Sequence, residues 1–172
     1  FEKEFSAYCN AKYCVGLGNG TDALEIALKC VDITSNDKVA CVANAGYYST
    51  AAIFSVGATP LYIDIENETM NMCPESLEKS LTDDTKAIIV THLYGQMAKI
   101  KELLQIATKR NIPIIEDCAQ SCGAELEGKK AGSWGELGCF SFYPTKNLGA
   151  IGEAGCITTN DNSLSNKIRL AK

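Results

Sequence analysis

Thr85-Lys86-Ala87-Ile88-Ile89-Val90-Thr91-His92-Leu93, a stretch of helical periodicity over Ala98–Arg110, and then Ile112-Pro113-Ile114-Ile115-Glu116-Asp117 form the passage that decides the fold. The two flanking runs are almost unbroken Ile and Val, as strands covered on both faces need to be, because neither face meets water. A helix between two such strands returns the chain to the same end of the sheet, so the strands lie parallel. Working back toward Phe1, the same alternation recurs. Phe1, Phe5 and Tyr8 stand at helical spacing, the run Lys12–Leu17 reads as a strand ending in Gly18-Asn19-Gly20, and a helix follows over Thr21–Lys29. Further strands are expected at Lys38–Ala43 and Pro60–Ile65, and further helices around Ser49–Val56 and Pro74–Leu81. Beyond Asp117 the texture changes. Gly123–Gly132 is a Gly-rich excursion, Gly135–Phe142 and Ala154–Asn160 read as strands close enough to pair antiparallel, and Asp161–Lys172 opens a helix. The expected class is α/β: three layers, α/β/α, around a mostly parallel mixed sheet, with one domain over residues 1–172.

Composition narrows the function. Of 172 residues, 46% are apolar and 22% charged, the mix of an ordinary folded globule, which excludes disordered and low-complexity classes. Sixteen basic residues are scattered among twenty-one acidic ones, so no band of positive charge awaits nucleic acid. No apolar run nears the roughly 20 residues that span a bilayer, and no membrane partner is expected. Nine cysteines, an odd number without a C-x-x-C pair, and a single histidine supply metal chemistry poorly, so no metal is expected. The cysteines lie in apolar runs such as Lys38–Ala43, read there as small hydrophobes, and point to a reducing, cytoplasmic compartment.

Ligands of open α/β sheets collect at the carboxyl ends of the strands, and three polar clusters fall there. Gly18-Asn19-Gly20-Thr21-Asp22 opens a helix whose unpaired N–H groups and dipole favour a phosphate; the same residues could form a plain capped turn. The spacing Gly18-x-Gly20-x-x-Ala23 also fits a relaxed dinucleotide fingerprint, but Lys38–Ala43 ends without the acidic residue that would hold a ribose. Asp117, with Gln120 three residues on, ends an apolar strand, where a carboxylate can hold a cationic ring nitrogen, hold a metal or cap the next turn. Ser141-Phe142-Tyr143-Pro144-Thr145-Lys146 brings a lysine off an aromatic strand into a loop flanked by Gly149 and Gly152. A desolvated lysine can serve there as an amine nucleophile. A phosphate cradle, an anion for a ring nitrogen and an amine for an aldehyde are together what pyridoxal 5'-phosphate requires.

At these residues the chain resembles the DegT/DnrJ/StrS family of pyridoxal-phosphate-dependent sugar aminotransferases, within the aspartate-aminotransferase fold type. The resemblance runs through Asn19–Leu24, Thr85–Ile89, His92–Gln96, Ile115–Gln120, Phe140–Gly149 and Thr159–Asp161, and so covers essentially all of the chain. It implies that Lys146 is the catalytic lysine that holds the cofactor, Asp117 the partner of its ring nitrogen and Gln120 the neighbour of its 3-hydroxyl. Gly20, Thr21 and Ser141 would hold the phosphate, and Tyr47 would stack on the ring. The implied activity moves an amino group from an amino acid, glutamate by expectation, to a keto group of a nucleotide-linked sugar, in a homodimer. Residues 1–172 would then be most of the large, cofactor-binding domain, with an N-terminal segment and a C-terminal small domain outside them.

Departures from the family pattern are Ala43-Asn44-Ala45-Gly46-Tyr47 in the loop over the cofactor, Cys118 after Asp117, and Glu153-Ala154 before Gly155; these bear on substrate choice. Relatives that dehydrate carry His in place of the lysine, so Lys146 favours transamination. Two other readings stand beside this one: a catalytically incomplete piece that retains the cofactor site, and a dinucleotide-binding oxidoreductase. His92 is open between a structural histidine and a ligand contact, and Trp134 and Tyr143 are expected to pack.

Overall fold

Side chains alternate across a strand, so a run of apolar residues in one strand must feed two cores. The computed structural model, which describes residues 1–172, shows this division. In chain order the elements are α1 Glu2–Tyr8, β1 Tyr13–Leu17, α2 Gly20–Cys30, β2 Lys38–Val42, α3 Tyr48–Ser55, β3 Thr59–Ile63, α4 Pro74–Ser80, β4 Thr85–Thr91, α5 Ile100–Lys109, β5 Ile114–Asp117, β6 Glu125–Leu126, β7 Lys129–Lys130, β8 Leu137–Ser141, β9 Gly155–Thr159 and α6 Asn162–Ala171. Seven strands make one sheet in the order β1-β9-β8-β5-β4-β2-β3. Neighbours from β3 to β8 are parallel, whereas β9 runs antiparallel to both β8 and β1. The expected α/β class and mixed, mostly parallel sheet are therefore present.

Ala87 and Ile89 of β4, Ile115 of β5 and Leu137 and Cys139 of β8 face Leu24, Leu28 and Ile53 of α2 and α3, with Ile168 of α6 on the same side. Their sequence neighbours Ile88, Val90 and Ile114 face the other way, onto Leu77, Leu103 and Ile106 of α4 and α5. A smaller aromatic and thiol cluster of Phe5, Cys9, Cys14, Phe140 and Cys156 seats α1. Each fully buried aliphatic side chain contributes about 1.5–3 kcal/mol, so these clusters fix the layer order. All nine cysteines are free thiols and seven are buried, the packing role their apolar settings imply.

The elements end for local reasons. β4 stops at Thr91, before the expected Leu93, because the chain turns through left-handed Tyr94 (φ 58°) and Gly95 (φ 78°). α5 begins at Ile100 rather than Ala98 because the Ala98 N–H donates to His92 Nδ1 at 3.1 Å. The Gly-rich excursion folds into the hairpin β6–β7, whose Glu127 and Gly128 both have positive φ, as a two-residue hairpin turn requires.

Candidate active site

Strand parity also sorts the polar residues at the carboxyl ends. Thr91, Asp117 and Ser141 continue the rows of Ile89, Ile115 and Cys139 and so face α2 and α3, whereas His92 and Glu116 face the opposite layer. On the α2 side lies a cavity of about 600 Å³ walled by Asn19, Gly20, Thr21, Asp22, Tyr48, Thr91, Asp117, Gln120, Ser141, Tyr143, Thr145, Lys146 and Glu153. A larger cleft of about 750 Å³ is walled mainly by apolar groups, Leu17, Ile26, Phe142 and Leu148 among them, and gathers no catalytic set.

One end of the cavity is the N-terminus of α2. The Asn19 side chain caps it by accepting from the Asp22 N–H at 2.8 Å, and the Ala23 N–H donates to Asn19 O at 3.2 Å. The Gly20 and Thr21 N–H groups precede any intrahelical partner and remain available to an anion. Gly20 is pressed against β8: a Cβ there would lie 2.7 Å from the Ser141 Cβ, so only glycine lets the helix start beside Ser141.

Asp117 forms the floor and is 5% exposed. Its Oδ1 accepts from the Ala119 N–H at 3.1 Å, and its Oδ2 faces the Thr91 hydroxyl at 3.3 Å and the Ser49 hydroxyl at 3.5 Å. Burial pushes this carboxyl above its ordinary 3.8; the Ala119 N–H, the Thr91 hydroxyl and the charge of Lys146 pull it partly back. Lys146 is half-buried and is the sole primary amine on the cavity wall. Its loop is held by the Lys146 N–H donating to Tyr143 O at 2.8 Å and by the close approach of Gly149 to Pro144 O, which a Cβ would meet at 2.6 Å. Gln120 accepts from the Tyr94 N–H at 3.0 Å through Oε1, which leaves its Nε2 as the free polar end.

The residues that the resemblance implies for the cofactor site thus converge on this cavity, Tyr47 excepted. Tyr47 is 69% exposed and does not line the cavity; its neighbour Tyr48 does. Tyr143 does not pack as expected but stands 45% exposed on the cavity wall, because β8 ends at Ser141 and the chain leaves the core there. Trp134 is half-buried against the α4–α5 core, with its indole N–H donating to Lys129 O at 3.2 Å.

His92 is structural. It is fully buried, Nδ1 accepts from Ala98, and Nε2 lies 3.0 Å from Glu116 Oε2, which fixes the proton on Nε2. Glu116 then accepts from the N–H groups of Gly132, Trp134 and Gly135 at 2.7–2.8 Å. Thr91 and Ser49 went unread in the sequence; the row Ala87, Ile89, Thr91 was the signal for the first, and nothing marked the second.

A doubly covered, mostly parallel sheet with an acid, an amine and an open helix N-terminus at the carboxyl ends of its strands defines the large-domain architecture of the aspartate-aminotransferase fold type. The chain belongs to the DegT/DnrJ/EryC1/StrS aminotransferase family, whose sequence pattern matches residues 1–172. It is 45% identical over 172 residues to a dTDP-3-amino-3,6-dideoxy-alpha-D-galactopyranose transaminase of Aneurinibacillus thermoaerophilus, covering 100% of this chain and 47% of that one. An aminotransferase from Psychrobacter cryohalolentis superposes with TM-score 0.96 at 39% identity, covering 98% of this chain and 42% of that one. The NtdA protein of Bacillus subtilis, solved with bound cofactor PMP, superposes with TM-score 0.92 at 33% identity, covering 97% of this chain and 38% of that one. The chain spans about half the length of the curated relatives it matches. No helix is long and apolar enough to cross a membrane.

Proposed function

We propose that residues 1–172 are the cofactor-binding domain of a pyridoxal-5'-phosphate-dependent aminotransferase that aminates a keto group on a nucleotide-linked sugar. The observation that carries this reading is the pairing of Lys146, which makes no ion pair, with the buried Asp117 across one cavity. The residues fit the cofactor. The unpaired Gly20 and Thr21 N–H groups, brought beside Ser141 by a glycine that lets α2 start there, suit a phosphate, and a buried carboxylate facing the cavity suits a protonated ring nitrogen. Pyridoxal phosphate, when bound, supplies an aldehyde for a primary amine and a ring that draws electrons from a substrate carbon.

The chain's own residues do the rest. The Gly20 and Thr21 N–H groups and the Ser141 hydroxyl orient a phosphate, and Asp117 holds a proton on the ring nitrogen. Lys146 Nζ is the base placed to move a proton. The amino donor is an amino acid, which we take to be glutamate. The sugar reading is supported by relatives named as a dTDP-sugar transaminase, a UDP-sugar aminotransferase and a GDP-perosamine synthase. A homodimer completes the proposal, and we place it in the cytoplasm, a compartment the free thiols suit.

The test is reduction by borohydride in the presence of pyridoxal phosphate. Wild type acquires a stable adduct at Lys146, located by peptide mass, and Lys146→Ala acquires none. An adduct that persists at the same yield in Lys146→Ala refutes the assignment.

A further inference from the structure

We propose that Thr91 and Ser49 are positioning residues that aim Asp117 Oδ2 at the cofactor's ring nitrogen, an inference that rests on the cofactor reading above. Three elements meet at this carboxylate: β5 supplies Asp117, the end of β4 supplies Thr91, and the first turn of α3 supplies Ser49. Both hydroxyls fall on the same oxygen, Oδ2, at 3.3 and 3.5 Å, while Oδ1 is taken by the Ala119 N–H at 3.1 Å. The carboxylate is thereby fixed against rotation, with one oxygen committed to the backbone and the other presented to the cavity.

Thr91 and Ser49 are 4% and 1% exposed, and neither hydroxyl has another hydrogen-bond partner in the protein. Thr91 continues a row of Ala87 and Ile89 that faces the α2–α3 core, and Ser49 sits among Ala52 and Ile53, so apolar residues would pack at both places. A hydroxyl at each is explained by Asp117. The distances are longer than the ideal for an O–H donor to a carboxylate, so neither hydroxyl saturates Oδ2, and a ring N–H can still be accepted. Two donors on the same oxygen also favour its ionised form, the form that keeps a ring nitrogen protonated.

A role through the ring nitrogen is separable from a role in packing. The probes are pyridoxal phosphate and its 1-deaza analogue, which has a carbon in place of the ring nitrogen; affinity of the apoprotein for each is read from the visible absorbance of the bound form. Wild type is expected to prefer pyridoxal phosphate. Thr91→Val should weaken pyridoxal phosphate about five- to tenfold and leave the analogue unchanged, so that the preference narrows; Ser49→Ala should do the same to a smaller degree. Thr91→Ser, which keeps the hydroxyl, should restore the preference and guards against misfolding of the valine variant. Equal weakening of both ligands in Thr91→Val and Ser49→Ala, or no change in either ligand, overturns the inference and leaves the cofactor reading standing. A wild-type protein that binds neither probe overturns the cofactor reading itself.

Discussion

Replacing Glu116 by Gln tests the scaffold beneath the site. The Glu116 carboxylate is fully buried and accepts from His92 at 3.0 Å, Gly132 at 2.8 Å, Trp134 at 2.7 Å and Gly135 at 2.8 Å, two donors on each oxygen. An amide offers one accepting oxygen, so its NH₂ must face the remaining two donors. If the amide nitrogen faces His92, the imidazole cannot escape by moving its proton to Nδ1, because Nδ1 already accepts from Ala98 at 3.1 Å. Each buried donor left unmade costs about 1–3 kcal/mol, so Glu116→Gln should lose about 2–6 kcal/mol. That is a large share of the roughly 5–15 kcal/mol that holds a domain together. Urea unfolding should show it as a midpoint lowered by about 1–3 M. Amide exchange should locate it, with the Gly132, Trp134 and Gly135 N–H groups losing protection first. A loss below about 1 kcal/mol, with those amides still protected, would refute the reasoning.

Three further outcomes are expected. Gly20→Ala should cost about 1–3 kcal/mol, since its Cβ meets the Ser141 Cβ at 2.7 Å, and should weaken phosphate-bearing ligands by displacing the first turn of α2; calorimetry and a pyridoxal-phosphate titration read the two effects. Asp117→Asn should raise the melting temperature of the apoprotein near neutral pH. Burial lifts the folded carboxyl above its ordinary 3.8, so the cost of ionising it is full above the raised value and vanishes as pH falls below 3.8; melts across that range should show the asparagine advantage fading as pH falls. Thiol titration of the native protein should find Cys73 and, more slowly, Cys122, whose thiol burial pushes up, with all nine reacting in denaturant; rapid native reaction of Cys118 or Cys139 would contradict their burial.

The layer order was legible because unbroken Ile and Val runs leave few alternatives, and the place of Asp117 and Lys146 followed from where those runs stop. Periodicity does not report which side of the sheet a terminal residue faces until the register of the whole run is counted. That count separates Asp117 from Glu116 and Thr91 from His92, and it would have shown that His92 belongs to the scaffold. The exposure of Tyr47 and the cavity position of Tyr48 follow from how a short helix begins at Tyr48, a matter of φ and ψ at two residues with the same side chain. Tyr143 escaped for a related reason: an aromatic residue directly after a strand reads as core unless the end of the strand is known.

The reversed strand β9 changes what the loop before it can do. The parallel strands from β2 to β5 are joined by crossovers that each carry a helix, and β5 reaches β8 through the β6–β7 hairpin, but residues 142–154 only join the end of β8 to the start of its antiparallel neighbour β9. Lys146 therefore rides on a connection held at Gly149 and Ala150, whose exposed side chains at Ile151 and Glu153 can change without re-threading any layer. Asp117 is locked into the sheet and the start of α2 is pressed against β8, while Lys146 and Glu153 sit on the connecting loop. On the proposed function, exchange at Glu153 alters the cavity wall while Asp117 and the N-terminus of α2 stay as they are.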